Sequence, residues 1–170
     1  MTTSTSTSTY VRSLTVRELL RLSAAIVTEL NHRGILRSRN APAGDLAEYL
    51  VAKAYHGERA APAVKSWDVQ AAERKLQVKC RLVAPGTRRT ESFSPFRSWE
   101  FDACVFVALD CYTYDVVQAV EIPMATVRAI ARETAWVKGH RVSVGQVAGQ
   151  VQGSRDVTDL IRRALNDLGE

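Results

Sequence analysis

The stretch Ser66-Trp67-Asp68-Val69-Gln70-Ala71-Ala72-Glu73-Arg74-Lys75-Leu76-Gln77-Val78-Lys79-Cys80-Arg81-Leu82-Val83 reads as a β-hairpin. Trp67-Asp68-Val69 is expected as the first strand, residues 71–74 as a polar turn and residues 75–83 as the second strand. Strand side chains alternate faces with period two. Leu76, Val78, Cys80 and Leu82 then share one face, and Lys75, Gln77, Lys79 and Arg81 the other. By the same alternation Trp67 and Val69 point one way and Asp68 the other. An acid, an amide and an ammonium are thereby aimed at one side of a hairpin.

Upstream, Thr15-Val16-Arg17-Glu18 has the form of a capping box, with Leu14 placed to staple onto Leu19. Val16, Leu19, Leu20, Val27 and Leu30 continue it as an apolar stripe at helical spacing, and Gly34 supplies a stop. A basic loop with Arg37, Arg39 and Asn40 leads to a second helix opening at Gly44-Asp45 and running to about His56. Glu48 lies beside the centre of that helix's buried face.

Downstream, residues 84–97 form a loop rich in Arg, Ser and Pro, long enough to suggest function. Residues 103–109 read as a fully buried strand and residues 116–122 as its partner. Pro123 stands at a favoured first helical position, and Val127, Ile130, Ala131, Thr134 and Val137 carry the pattern on. A short strand is expected at residues 141–144. Asp156 is expected to cap a final helix with Val157, Leu160, Ile161, Ala164, Leu165 and Leu168 on one face. The layout predicts an α+β fold, with a central, mainly antiparallel or mixed sheet flanked by helices. Residues 1–12 are expected as a disordered Ser/Thr tail and residues 13–170 as a single domain.

The chain has 170 residues, enough for one well-buried core and too few to expect two. Its formal charge of +5 suits an anionic partner. Three cysteines without metal-ligand spacing, and no leader pattern, point to a reducing, cytoplasmic setting. The longest apolar run, residues 103–109, is far short of the roughly 20 residues that span a bilayer, so no membrane partner is expected. His32, His56 and His140 have no ligand spacing, and Ser94 and Ser98 have no evident base.

Phosphodiester hydrolysis without a covalent intermediate needs a divalent ion to polarise the phosphate and activate water. Magnesium takes hard oxygen ligands and keeps several waters, so one or two protein oxygens suffice. Asp68 would be the anionic ligand, with the Gln77 amide oxygen and the Val78 carbonyl as neutral ones. Lys79 would orient the water or stabilise charge on the phosphorane, and Glu48 would complete the shell. The same alternation also describes a strand with one face in water, and periodicity alone favours that description.

The order of these residues resembles the PD-(D/E)xK, or restriction-endonuclease-like, nucleases. There an acid on one strand precedes a (D/E)-x-K tripeptide on the next, often with a Glu from the helix before. The matching elements are Glu48 within residues 44–48, Asp68 within residues 66–69, and Gln77-Val78-Lys79, and the resemblance runs from about Gly44 to Val137. Together with Ser94-Pro95-Phe96-Arg97-Ser98-Trp99, they resemble small uncharacterised bacterial or phage members of that superfamily. The resemblance implies a restriction-endonuclease-like core with extra terminal helices. It also implies Mg²⁺ or Mn²⁺ at Asp68 and Gln77, a catalytic Lys79, a supporting Glu48, and DNA as substrate. Trp67 stands where the family has proline, Gln77 replaces the usual acid and removes one negative charge, and the strand at residues 116–122 is additional.

Arg81, Arg88, Arg89 and Arg97, with Phe93, Phe96 and Trp99 interleaved, are candidates to grip a phosphate backbone and stack bases. A solvated loop whose aromatics pack on the sheet describes the same residues equally well. The alternative to a hydrolase is a binding module: a catalytically silent nuclease fold, or a helix-turn-helix-like contact from the two N-terminal helices. A homodimer assembled through the amphipathic C-terminal helix is a further possibility.

Overall fold

Residues 3–37, 42–64, 66–134, 137–149 and 151–168 are described in the computed structural model of the protein. The chain divides into two compact units at Pro42/Ala43, within the stretch expected as one domain. Arg39 and Asn40, placed by the sequence in a basic loop, lie outside the described residues.

The first unit contains α1 (Thr3–Ser13), inside the expected tail, and α2 (Val16–His32). Thr15 and Glu18 form the capping box in both directions: Glu18 Oε2 accepts the Thr15 N–H at 2.8 Å, and Thr15 Oγ1 accepts the Glu18 N–H. At the other end Gly34 adopts φ +73°, a left-handed conformation that costs glycine little. Its N–H reaches Asn31 O and the Ile35 N–H reaches Leu30 O, the paired bonds of a Schellman motif.

The second unit is α+β and is built on a six-stranded mixed sheet in the order β1-β2-β3-β4-β5-β8. The strands are β1 (Glu58–Arg59), β2 (Val69–Ala71), β3 (Arg74–Val83), β4 (Ala103–Asp110), β5 (Val116–Pro123) and β8 (Arg155–Asp156). Among the described strands only β3 and β4 pair in parallel. Their apolar run fits a central strand: β4 is buried along nearly its whole length, as strands covered on both faces are. One face packs on α3 (Ala43–Ala54) and α6 (Thr158–Asn166), through Ala47, Leu50, Val51, Leu76, Val105, Val107 and Ile161. At the start of α6 the Asp156 carboxylate accepts the Thr158 N–H at 2.8 Å.

The other face is covered by aromatic residues of the 84–102 segment, by α4 (Met124–Ile130), by the hairpin of β6 (Arg132–Thr134) and β7 (Val137–Arg141), and by α5 (Val144–Ala148). Phe93, Phe96 and Phe101 pack there on Cys104, Phe106 and Ile122. This covering removes the water-facing description of β3: Gln77 is only 9% exposed.

Four expectations are corrected. The turn is Ala72-Glu73 alone, because Ala71 and Arg74 are paired. Trp67 and Val69 lie on opposite faces, Trp67 against the aromatic cluster and Val69 in the helix-covered core. Both Trp67 and Asp68 precede β2, so the period-two rule does not extend across them. The helix expected to run from Pro123 to Val137 ends at Ile130, since Ala131 turns to extended backbone (ψ 141°) and the β6–β7 hairpin follows. In the same region the strand expected at residues 141–144 is misplaced: β7 ends at Arg141, Ser143 caps α5, and Val144 opens that helix.

Candidate functional site

The site forms where β2 parts from β3. Asp68 makes the last backbone contacts: its N–H donates to Leu76 O at 2.9 Å and its carbonyl accepts the Ala60 N–H at 2.8 Å. Beyond that point the side chain takes over the pairing. Asp68 Oδ2 accepts the Val78 N–H at 2.7 Å and a short hydrogen bond from Gln77 Nε2. In a strand the N–H and C=O of one residue point to the same edge, so the Val78 carbonyl faces the Asp68 side as well.

Lys79 shares the Gln77 face. Its Nζ donates to the Pro95 carbonyl at 3.2 Å and stands 4.9 Å from the centre of the Phe96 ring. Burial pulls its pKa below the ordinary lysine value and the Arg97 charge adds to this, against the Asp68 and Glu48 charges that favour the ammonium. Burial pushes the Asp68 carboxyl above its ordinary value, opposed by the Val78 N–H, the Lys79 charge and the Gln77 amide. Beneath Lys79, burial drives the Cys104 thiol well above the ordinary range, so it is a packed and inert group. Glu48 is half-buried on α3, near enough for its charge to act on Lys79.

The predicted basic residues divide. Arg81 is committed to the 84–102 segment: it pairs with Glu91 and donates to the Ser92 carbonyl at 2.6 Å. The exposed Arg88 acts on Glu91 through its charge. Arg89 donates to the Gly145 carbonyl at 3.3 Å. Arg97 is exposed and, with Phe96, Trp99, Lys138, Gly139 and His140, lines a cleft of about 590 Å³ adjoining Lys79. Trp99 stacks on Phe96 at 5.4 Å and meets the His140 ring edge-on at 5.4 Å. Lys138 and His140 had no sequence signal as cleft residues, because they fall between the helix expected to Val137 and the strand expected from Arg141.

Among the described residues no group of three or more His, Cys, Asp or Glu side chains could hold a metal ion. A hard, hydrated cation such as Mg²⁺ needs few protein oxygens. The corner offers the Asp68 carboxylate, the Val78 carbonyl and the Gln77 side chain. A half-turn of the Gln77 amide exchanges its N–H for Oε1 without moving the chain. No protein-family model matches the chain, and no curated protein matches it significantly. Among the described residues no helix is long and apolar enough to cross a membrane.

Proposed function

We propose that the chain is a nuclease-fold protein that hydrolyses phosphodiester bonds in DNA with a divalent cation, Mg²⁺ or Mn²⁺, at Asp68, Gln77 and Val78. The observation that carries the reading is the meeting of Asp68, Gln77 and Lys79 at one corner of an interior strand. Burying a carboxylate and an ammonium whose pKa values both move toward neutrality costs stability, and such pairs concentrate at functional sites. A bound cation supplies polarisation of the scissile phosphate and a water of lowered pKa.

The chain's own residues do the remainder. Asp68, fixed by the Val78 N–H, presents an oriented carboxylate. Lys79, gripped by the Pro95 carbonyl, holds a cation where charge develops on the phosphorane. Glu48 adds negative charge from the α3 side. Arg97 and Lys138 give the adjoining cleft a positive rim for a phosphate backbone, and Trp99 offers a stacking surface.

One observation favours a second reading, a silent nuclease fold that binds without cleaving. The Gln77 amide N–H already satisfies Asp68, and Gln77 brings no charge of its own. Incubating plasmid and branched DNA with Mg²⁺ or Mn²⁺ separates the two readings. Cleavage by the wild type that is lost in Lys79→Ala and Asp68→Ala supports the hydrolase. Salt-dependent binding with no cleavage supports the silent fold, and cleavage unchanged in both variants contradicts the site.

A further inference from the structure

On the same face of the sheet, a second cleft of about 340 Å³ is lined by Arg89, Arg132 and Arg141 together with Thr90, Ser92 and Ser143. Arg132 and Arg141 are direct cross-strand partners in the β6–β7 hairpin. Like charges in that position repel. Elsewhere in this unit Arg74, Arg81, Arg155 and Arg162 each reach a carboxylate. Among the described residues none of Arg89, Arg132 or Arg141 does. The Nε–H of Arg141 is buried without a hydrogen-bond partner, a rare condition in folded proteins.

The walls are fixed by the fold. The Gly145 N–H donates to Arg89 O at 2.9 Å, the Val144 N–H to Glu91 O at 2.7 Å, and the Phe93 N–H to Val142 O at 2.9 Å. A Cβ at position 145 would lie 2.9 Å from Arg89 O, so only glycine allows this closeness. Three guanidinium groups and three hydroxyls, with the Gln146 amide and, among the described residues, no carboxylate on the lining, make a site rich in donors and positive charge.

From this geometry we infer that the Arg89–Arg132–Arg141 cleft binds a phosphate group. Arginine forks match the oxygens of a phosphate bidentately, and the anion supplies the counter-charge the three side chains lack. The cleft adjoins the candidate hydrolytic corner. Ser92 is held through its carbonyl by Arg81, which follows Lys79 by two residues on one strand, about 7 Å. A free phosphate and a phosphate of a nucleic-acid backbone share this chemistry. The inference stands whether or not the Asp68 corner cleaves.

The test is carried out in EDTA, so that cleavage plays no part. Inorganic phosphate is titrated calorimetrically into the full chain and into Arg132→Gln, Arg89→Gln and, as a charge control away from both clefts, the exposed Arg163→Gln on α6, each checked for an unchanged thermal melt. Arg132 and Arg89 are exposed, which keeps their variants folded. Phosphate should bind the wild type and Arg163→Gln alike and lose at least tenfold in affinity in both Arg132→Gln and Arg89→Gln. Absence of binding, or equal binding by wild type and both cleft variants, overturns the site. Competition by a short single-stranded oligonucleotide that weakens in parallel in Arg132→Gln assigns the site to backbone phosphate. Phosphate binding without such competition supports the site and assigns it to free phosphate.

Discussion

The Asp68 carboxylate accepts the backbone N–H of Val78 at 2.7 Å, so the acid is positioned by the strand that carries Gln77 and Lys79. A side chain here does what a neighbouring strand would otherwise do. The acid cannot shift without breaking a main-chain hydrogen bond, and this gives the corner its rigidity.

Rigidity at the corner is obtained against stability. The folded pKa of Asp68 is raised, so its ionised form lowers stability at pH above that value. The folded pKa of Lys79 is lowered, so its charged form lowers stability at pH below that value. At neutral pH both penalties act. The double variant Asp68→Asn/Lys79→Met should therefore be more stable than wild type by roughly 1–2 kcal/mol, while losing cation-dependent activity. Urea denaturation at pH 7 reads this, and a variant that melts earlier than wild type would count against it.

Gln77 controls the charge of the corner. Gln77→Glu should tighten Mn²⁺ binding about tenfold, because ligand charge sets the affinity of such sites. Without metal, the new carboxylate faces Asp68 in place of an amide donor, so the metal-free variant should melt below wild type. Melting curves with and without Mn²⁺ should then separate more widely for Gln77→Glu than for wild type.

Glu121 anchors a different network, accepting from Tyr55 Oη at 2.6 Å, Arg74 at 2.5 Å and Arg155 at 2.8 Å. Burial pushes its carboxyl up, but these hydrogen bonds and the two arginine charges outweigh it and hold the pKa below the ordinary 4.5. A depressed carboxylate contributes stability above its unfolded pKa and loses it as pH falls through the folded one. Stability should therefore decline below about pH 4.5, and Glu121→Gln should flatten that limb. At pH 7 the same variant should cost about 1–2 kcal/mol, a figure kept low because both arginines are half-exposed. Chemical denaturation across a pH series measures both.

Trp99 lines the cleft beside Lys79 and is partly exposed. If single-stranded DNA stacks there, Trp99→Ala should weaken its binding by about 1–3 kcal/mol and leave Mn²⁺ affinity unchanged. Fluorescence anisotropy with a labelled oligonucleotide, alongside a Mn²⁺ titration, distinguishes a stacking surface from a purely structural ring.

Much of this frame was legible in the residues. The Thr15–Glu18 box, the Gly34 stop and the buried run at residues 103–109 rest on local rules that tertiary context did not override. The shared face of Gln77 and Lys79 follows from period two within one regular strand. What escaped depends on partners distant in sequence. The two-residue strands β1 and β8 have no periodicity to read, and exist only because β2 and β5 offer edges. Asp68 reaches the corner from a bend, not from a strand. The polar face of β3 looks solvated until the aromatic segment folds over it. The clefts were hidden because Arg132 falls where the helical pattern of α4 continues, Lys138 and His140 carry no pattern of their own, and Arg141 reads as the start of a separate strand, so nothing local joins them in one hairpin.

The cation site itself is tested most directly by crystals soaked in Mn²⁺. The account predicts an anomalous peak contacted by the Asp68 carboxylate and the Val78 carbonyl, with the Gln77 amide turned so that Oε1 faces the ion. A corner without a peak, with the Gln77 N–H still bonded to Asp68, would contradict it.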